Sequence, residues 1–481
     1  MSAIAGIAAE EQWELVRSAL RRVCYRGSHG DVVVSKHDAT LGEIHFDGVK
    51  MWLGRTGGCR AVCAGVVYNW REVAKETLDV DQALDVLYQQ YGPQFVKDID
   101  GAFAVAIAGD DGLFLARDPL GVAPLYYGER DGRLCFASEV KALLAMTNSV
   151  TEFPPGHYYH PSCGFVQFFD FPRVVDEPQN LVDAAHDLRK MLGDAVSKCV
   201  AVSDSVGCWL SGGLDSSTIA ALACLHSSKL DTFAVGVAGC SDLEYARAVA
   251  RHIGSRHHEL LVTGDQLLRV LPEVIYHLES FDALLVRSSL TNYLLAGLAS
   301  DHVRTVLSGE GGDELFAGYD YLVEIEPSRL QDELRLITLA LHNTALQRVD
   351  RCSAAHGITA HVPFLDRQVI RYAFSLPVHY KLCRNGRPVG KWILRRSASS
   401  LLPPAIVERP KAKFWQGAGV LDLIAREAER AVSDADLEAE KRRNRGPLIR
   451  TKEELLYFRV FREQFGDLGE CEFIGRTRVA V

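Results

Sequence analysis

The rhythm of hydrophobic and polar positions changes near residue 180. Before it, short apolar runs are set off by Gly and Asp: Ala61 to Tyr68, Ala102 to Ala108 and Leu113 to Ala116. Turns such as Gly109-Asp110-Asp111-Gly112 bound them, so they predict strands with tight connections. Helical spacing is limited to Glu11 to Val23 and Asp81 to Tyr91. This half predicts a mainly β or layered α+β domain. After 180, an amphipathic helix spans Leu181 to Val200, and apolar runs then alternate with helical ones. The runs Val206 to Leu210, Asp231 to Val237 and His257 to Val262 predict strands, with helices ending near Ser227 and Ile253. Such a βαβαβ order implies a parallel sheet that binds ligands beyond the carboxyl ends of its strands. Helical patterns dominate from 320 to 480.

Two turns at predicted strand ends carry the candidate chemistry. Leu210 leads into Ser211-Gly212-Gly213-Leu214-Asp215-Ser216-Ser217, with a helix predicted from Thr218. The hydroxyls of Ser211, Ser216 and Ser217 and the helix N-terminus predict an anion site. No Lys follows the second Gly, so this is not the mononucleotide loop G-x-x-x-x-G-K-[ST]. The second turn, Ser308-Gly309-Glu310-Gly311-Gly312-Asp313, follows the apolar run that ends at Leu307. Plain alternatives are a Gly-Ser connection for the first and a helix N-cap for Asp313. His257 and His258 lack any partner in the sequence, and a solvent-facing or capping role is expected.

The first turn resembles the pyrophosphate loop of ATP pyrophosphatases, which split ATP between its α- and β-phosphates and adenylate an oxygen. Arg117 to Tyr127, Phe136 to Leu143, Tyr25-Arg26-Gly27 and Pro154-Pro155-Gly156-His157 resemble the glutaminase domain of asparagine synthetases. Ser308 to Tyr319, Leu346 to Asp366, Lys391 to Arg395 and Arg409 to Phe414 resemble the synthetase domain of that family. The likeness covers about 1–465. It implies an α/β protein in two parts. Residues 1–170 would be an αββα N-terminal-nucleophile-hydrolase-like domain. Residues 180–481 would be an ATP-pyrophosphatase (adenine nucleotide α-hydrolase-like) doubly wound parallel sheet with a helical extension. A Pro-rich connection from Phe171 to Pro178 would join them.

The likeness also implies roles. Leu210, Ser211, Gly212, Gly213, Asp215, Ser216, Ser217, Val235, Ser308 and Gly309 would bind ATP, Val235 through its backbone at the adenine. Asp215 and Asp313 would share Mg²⁺. Asp282, Arg287 and Ser288 would line the substrate pocket. Lys391 would lie near phosphates, and Lys411 would meet charge developing as adenylate leaves. Glu310 occupies the position of the β-lactam synthetase base.

Departures from the family are concentrated at the amidohydrolase chemistry. The nucleophilic Cys is replaced by Ser2, the oxyanion-binding Asn by Ala64, and a glutamine-binding carboxylate by Val66. Near Val80 an Asp is also missing, with Asp81 one step away. These changes predict a silent glutaminase-like scaffold. In the synthetase half, a family Glu is replaced by Thr359, and the β-lactam synthetase Glu by Gln347.

Composition narrows the class further. The chain has 481 residues, 48% hydrophobic and 24% charged, which suits a soluble protein of two to four domains at ~100–200 residues each. Net charge is −9, and the short basic run 441–445 lies among acidic residues, so nucleic acid is not an expected partner. No apolar stretch reaches the ~18 residues of a membrane span, and the start lacks a secretory pattern. Twelve cysteines without C-x-x-C pairs suit reduced thiols in a cytoplasm. The expected activity is an AMP- and pyrophosphate-forming ligase that joins a carboxylate to ammonia or an amine without glutamine. Alternatives are an ammonia-dependent asparagine synthetase proper, a macrolactam or β-lactam-type synthetase acting on a small molecule or peptide, or a silent ATP-binding homologue. A homodimer is compatible with these readings. Residues 461–481 read as a poorly ordered or lid-like tail.

Overall fold

The computed structural model describes residues 2–27, 29–36, 38–46, 61–74, 79–172, 180–227, 229–384, 387–410, 421–442 and 447–477. The chain forms two compact units: Met1–Asp170 with Cys471–Phe473, and Phe171–Glu470 with Ile474–Val481.

The first unit has two antiparallel sheets. One runs His29–Lys36, Ala39–His45, Ser2–Ile7, Arg133–Ala137, Tyr126–Arg130, Thr151–Glu152. The other runs Gly164–Gln167, His157–His160, Gly112–Arg117, Gly101–Gly109, Ala61–Val67. Strand Gly101–Gly109 shows why its sequence is apolar without alternation. Ala104, Ala106 and Ala108 meet Ile4 and Leu41 of the other sheet, while Phe103, Val105 and Ile107 meet helix Val80–Tyr91. Successive side chains point to opposite faces, and both faces are covered. Small residues suit the sheet-to-sheet face and large ones the helix. Helix Trp13–Arg21 packs on the first sheet, completing an αββα stack.

The second unit is built on a parallel sheet in the order Arg256–Leu261, Asp231–Gly236, Val206–Trp209, Thr305–Leu307, Thr359–His361. The first strand in the chain is central. The chain winds outward on one side, then crosses to the other. The switch point therefore lies between Val206–Trp209 and Thr305–Leu307, where a doubly wound sheet binds its ligand. Helices Leu214–Cys224, Ser241–Ile253 and Ala283–Ser300 pack on these strands, and further helices from Pro327 onward form the extension.

Three expectations are corrected. The helix after the first loop begins at Leu214, so Asp215, Ser216 and Ser217 lie in its first turn. Gly213 is extended (φ −75°, ψ 162°) and supplies the N-cap in place of a later residue. The histidines are not solvent-facing: His258 lies 2.7 Å from Asp231 and stacks on Phe233, and His257 bonds Thr232 at 3.0 Å. Nor is the tail loose through its described part. Helix Lys452–Phe465 places Phe461 on Phe281, and Thr477 donates twice to Asp282. Among the described residues no helix is long and apolar enough to cross a membrane. The Pro-rich connection at 173–179 falls outside the described residues.

One buried cation sets a pH dependence. Lys381, in helix Val378–Leu382, is fully buried against the Phe374 ring at 5.0 Å, with Gln331 Oε1 at 3.4 Å. Burial, aided by the nearby Arg335 charge, pushes its ammonium down to about 7. The unfolded chain keeps this proton up to about 10.4. The folded state is therefore penalised fully below pH 7, and the penalty fades between pH 7 and about 10. Lys381→Met should stabilise the protein by up to ~4 kcal/mol below pH 7, with the gain shrinking toward pH 10. Urea midpoints across pH 6–10 read this directly. A gain that does not vary with pH would show that Lys381 is not neutralised on folding.

Candidate active site

The two predicted turns leave neighbouring strands at the switch point. Gly212 takes φ +69°, and a Cβ there would sit 2.4 Å from Tyr245 Cβ. Only glycine meets both demands. The Ser211 and Ser216 hydroxyls lie 3.1 Å apart, and Gly213 N–H donates to Ser211 Oγ at 3.3 Å. In the second turn, a Cβ on Gly309 would approach Ser216 N to 2.7 Å, and one on Gly312 would approach Asp215 Cγ to 2.8 Å. The turns thus pack with no side chain between them. That closeness brings Asp215 and Asp313 to one point.

Lys391 occupies that point. Its Nζ lies 2.5 Å from both Asp215 Oδ2 and Asp313 Oδ1. Its backbone is left-handed (φ +60°) at the cap of helix Trp392–Ala398, and its N–H bonds Phe316 O at 2.9 Å. A non-glycine residue there is uncommon and belongs where surrounding structure imposes it. Gly318 makes the room: a Cβ would meet Asp313 Oδ1 at 2.0 Å and Lys391 Cε at 2.1 Å.

Around this centre opens a cavity of about 440 Å³, within the ~300–1,000 Å³ of small-molecule sites. Leu210, Ser211, Gly213, Asp215, Ser216, Val235, Ser308, Gly309, Glu310, Asp313 and Lys391 all line it. Other predicted residues do not. Ser217 is fully buried, so its hydroxyl does not join the other two, and Gly212 is not on the cavity wall. Asp282 caps helix Ala283–Ser300 through Leu285 N–H and accepts from Thr477. Arg287 is paired with Glu453, its Nε 3.0 Å away, and the Ser288 hydroxyl donates to Leu284 O and Leu285 O. Asp282 and Arg287 hold the helix to the tail, Ser288 bonds within its own helix, and none of the three lines the cavity. Lys411 lies outside the described residues.

Replacement of the family Glu at Thr359 removes no cavity charge. Thr359 pairs with Thr305 at the amino end of the strands, away from the loops, and does not line the cavity. His361 is buried, held down to about 4 by that burial, and also off the cavity wall. Gln347 donates to Leu278 O at 2.7 Å.

Other lining groups escaped prediction. Arg409 bonds Asp242 at 2.5 Å and Ser211 O at 3.3 Å, and lies 3.9 Å over the Tyr245 ring. Its place beside the Lys411 motif was the available signal. Asn292 also lines the cavity, without any sequence signal. Glu310 pairs with Arg348. Behind the wall, Glu314 bonds the Tyr319 hydroxyl, and burial, then the Asp313 charge, push its carboxyl up to about 7.

The donor set fits Mg²⁺. Two carboxylates from neighbouring strand ends converge on one cation, and the Lys391 ammonium marks the place. No group of three or more metal-ligating side chains occurs among the described residues. The ion's other ligands would be phosphate and water oxygens, as is usual for Mg²⁺.

A doubly wound sheet with this Ser-Gly loop at its switch point defines the nucleotide-binding core of an ATP pyrophosphatase. Comparison with known proteins takes this further. Residues 187–332 and 323–463 match the asparagine synthase family, and 51–145 match a glutamine amidotransferase domain. Asparagine synthetase B [glutamine-hydrolyzing] of Escherichia coli K12 is 35% identical, over 83% of this chain and 78% of that one. Asparagine synthetase [glutamine-hydrolyzing] 3 of Arabidopsis thaliana is 36% identical, over 73% and 65%. NMN synthetase from Francisella tularensis aligns at 12% identity and TM-score 0.29, over 63% of this chain and 99% of that one. The chain belongs to the asparagine synthetase family and is an ATP-dependent amide-forming ligase.

Gly318→Ala should displace Lys391 and Asp313 and lower stability as well, because it strands two close carboxylates. ATP–pyrophosphate exchange is expected to fall by about 100-fold, as for ~1 Å misplacements in a site. The variant should still unfold in one cooperative transition, at a lower temperature than wild type. Retained exchange would show that the Lys391 contact is dispensable.

Proposed function

We propose that this enzyme adenylates a small-molecule carboxylate with ATP, releases pyrophosphate, and lets ammonia or an amine displace AMP. The observation that carries this reading is the convergence of Asp215, Asp313 and Lys391 beside the Ser211–Ser216 turn. That turn would hold the β,γ-phosphates, and Val235 the adenine. Asp215 and Asp313 would hold Mg²⁺, which neutralises phosphate charge when bound. Lys391 sits where it can pass from the carboxylates to phosphate oxygens. Lys411, two residues beyond Arg409, would stabilise charge on the adenylate as it is attacked.

Glu310 would take the proton from the nitrogen nucleophile. The cavity wall also carries Asp215 and Asp313, assigned to the metal, Asp242, tied to Arg409, and Asp320 and Glu408. Glu310, itself paired with Arg348, is preferred because it stands at the position of the β-lactam synthetase base. A positioned base is worth ~10²–10⁴ in rate. Glu310→Gln should spare pyrophosphate exchange and suppress amide formation by that factor. Equal loss of both steps would make Glu310 a structural or metal-binding residue. AMP and pyrophosphate should appear in equal amounts, whereas ADP with orthophosphate would contradict adenylation.

Glutamine would not supply the nitrogen. Ser2 Oγ accepts from Gly65 N–H at 2.9 Å, so one backbone donor faces the residue at the nucleophile position. Its neighbours Ala64 and Val66 supply neither an amide donor nor a carboxylate. Loss of one oxyanion donor alone costs ~10²–10³. Purified protein should release no glutamate from glutamine above background, with or without ATP. Steady release that Ser2→Ala abolishes would establish a serine nucleophile and a working amidohydrolase.

A further inference from the structure

Helix Ala283–Ser300 packs on strand Asp231–Gly236, whose carboxyl end carries Val235. Its polar residues mostly satisfy themselves. Ser288, Ser289 and Thr291 each donate to a backbone carbonyl about one turn back. Asn292 does not. It is only 7% exposed and lines the cavity, yet its carboxamide has no hydrogen-bond partner among the described residues. A carboxamide on a cavity wall loses its water when a ligand covers it, which is costly unless the ligand supplies the hydrogen bonds. Leu295, one turn on, lines the cavity with it, as do Trp209 and Phe233. The carboxamide therefore shares the cavity wall with these apolar side chains and with Val235.

A planar heteroaromatic ligand fits such surroundings, with one polar edge to be met. The carboxamide offers an acceptor and a donor side by side. Adenine offers the complement, an exocyclic amine next to a ring nitrogen acceptor. We propose that Asn292 reads the adenine of bound ATP, accepting from the amine and donating to the adjacent ring nitrogen. This rests on the nucleotide reading of the cavity given above.

The test is calorimetric binding of Mg-ATP and of Mg-purine riboside 5′-triphosphate, which lacks the amine, in the absence of other substrates. Wild type should bind ATP about tenfold more tightly than the analogue. Asn292→Leu should bind both alike, near the wild-type affinity for the analogue. Should that variant fail to fold, Asn292→Ser serves, because its hydroxyl can bond its own helix as Ser288 does. Retention of the tenfold preference in a folded variant would overturn the role of Asn292. So would an equal loss for both nucleotides, which marks a merely structural residue. Wild type that binds neither nucleotide would overturn the nucleotide reading itself.

Discussion

One ammonium holds the second unit's chemistry together. Lys391 bridges Asp215 and Asp313, which come from turns after two different strands. Two carboxylates this close repel each other in a low dielectric unless a cation lies between them. The constraint spreads outward. Gly309 and Gly312 must lack side chains so that the turns can touch, and Gly318 must lack one so that the lysine can enter. Lys391 itself must adopt a left-handed backbone to aim inward. Glycines that read as a loose turn are in fact a set of close contacts.

The same site shows how charge is arranged around the cavity. Arg409 is fixed by Asp242, by the Ser211 carbonyl and by the Tyr245 ring, so its cation is held in place before any ligand arrives. Arg348 fixes Glu310 in a similar way at another part of the wall. Preorganised charge of this kind needs little rearrangement when a ligand binds, which is where electrostatic stabilisation gains its size.

The first unit's layered scaffold rests on residues other than Ser2, Ala64 and Val66. Buried Arg26, Glu139 and Lys141 form ion pairs, and Arg117 reaches Glu152 and the carbonyls of Ala123, Phe153 and Gly121. Breaking any of these would strand a buried charge. Nothing comparable depends on Ala64 or Val66, which sit in a strand held by backbone bonds.

Periodicity located strands Ala61–Val67, Gly101–Gly109, Gly112–Arg117, Val206–Trp209, Asp231–Gly236 and Arg256–Leu261 to within a residue or two, since burial on one or both faces leaves a direct trace in the sequence, whereas strands such as Ser2–Ile7, Ala39–His45 and Thr359–His361 were not read from it. The two glycine-rich turns were legible for the same reason, because close approach and positive φ restrict the residue type. Distances across the chain left no such trace. Asp282, Arg287 and Ser288 look like a polar binding patch in sequence. Folding gives their groups to Thr477, Glu453 and the helix backbone. Thr359 looks like a lost catalytic carboxylate, but strand register puts it at the amino end, away from the loops. Asn292 looks like an ordinary polar residue in a helix, and only packing turns it into the cavity. Local sequence determined which elements form and which turns are tight. Which side chains meet was decided by tertiary structure, because partners hundreds of residues apart impose no spacing on one another.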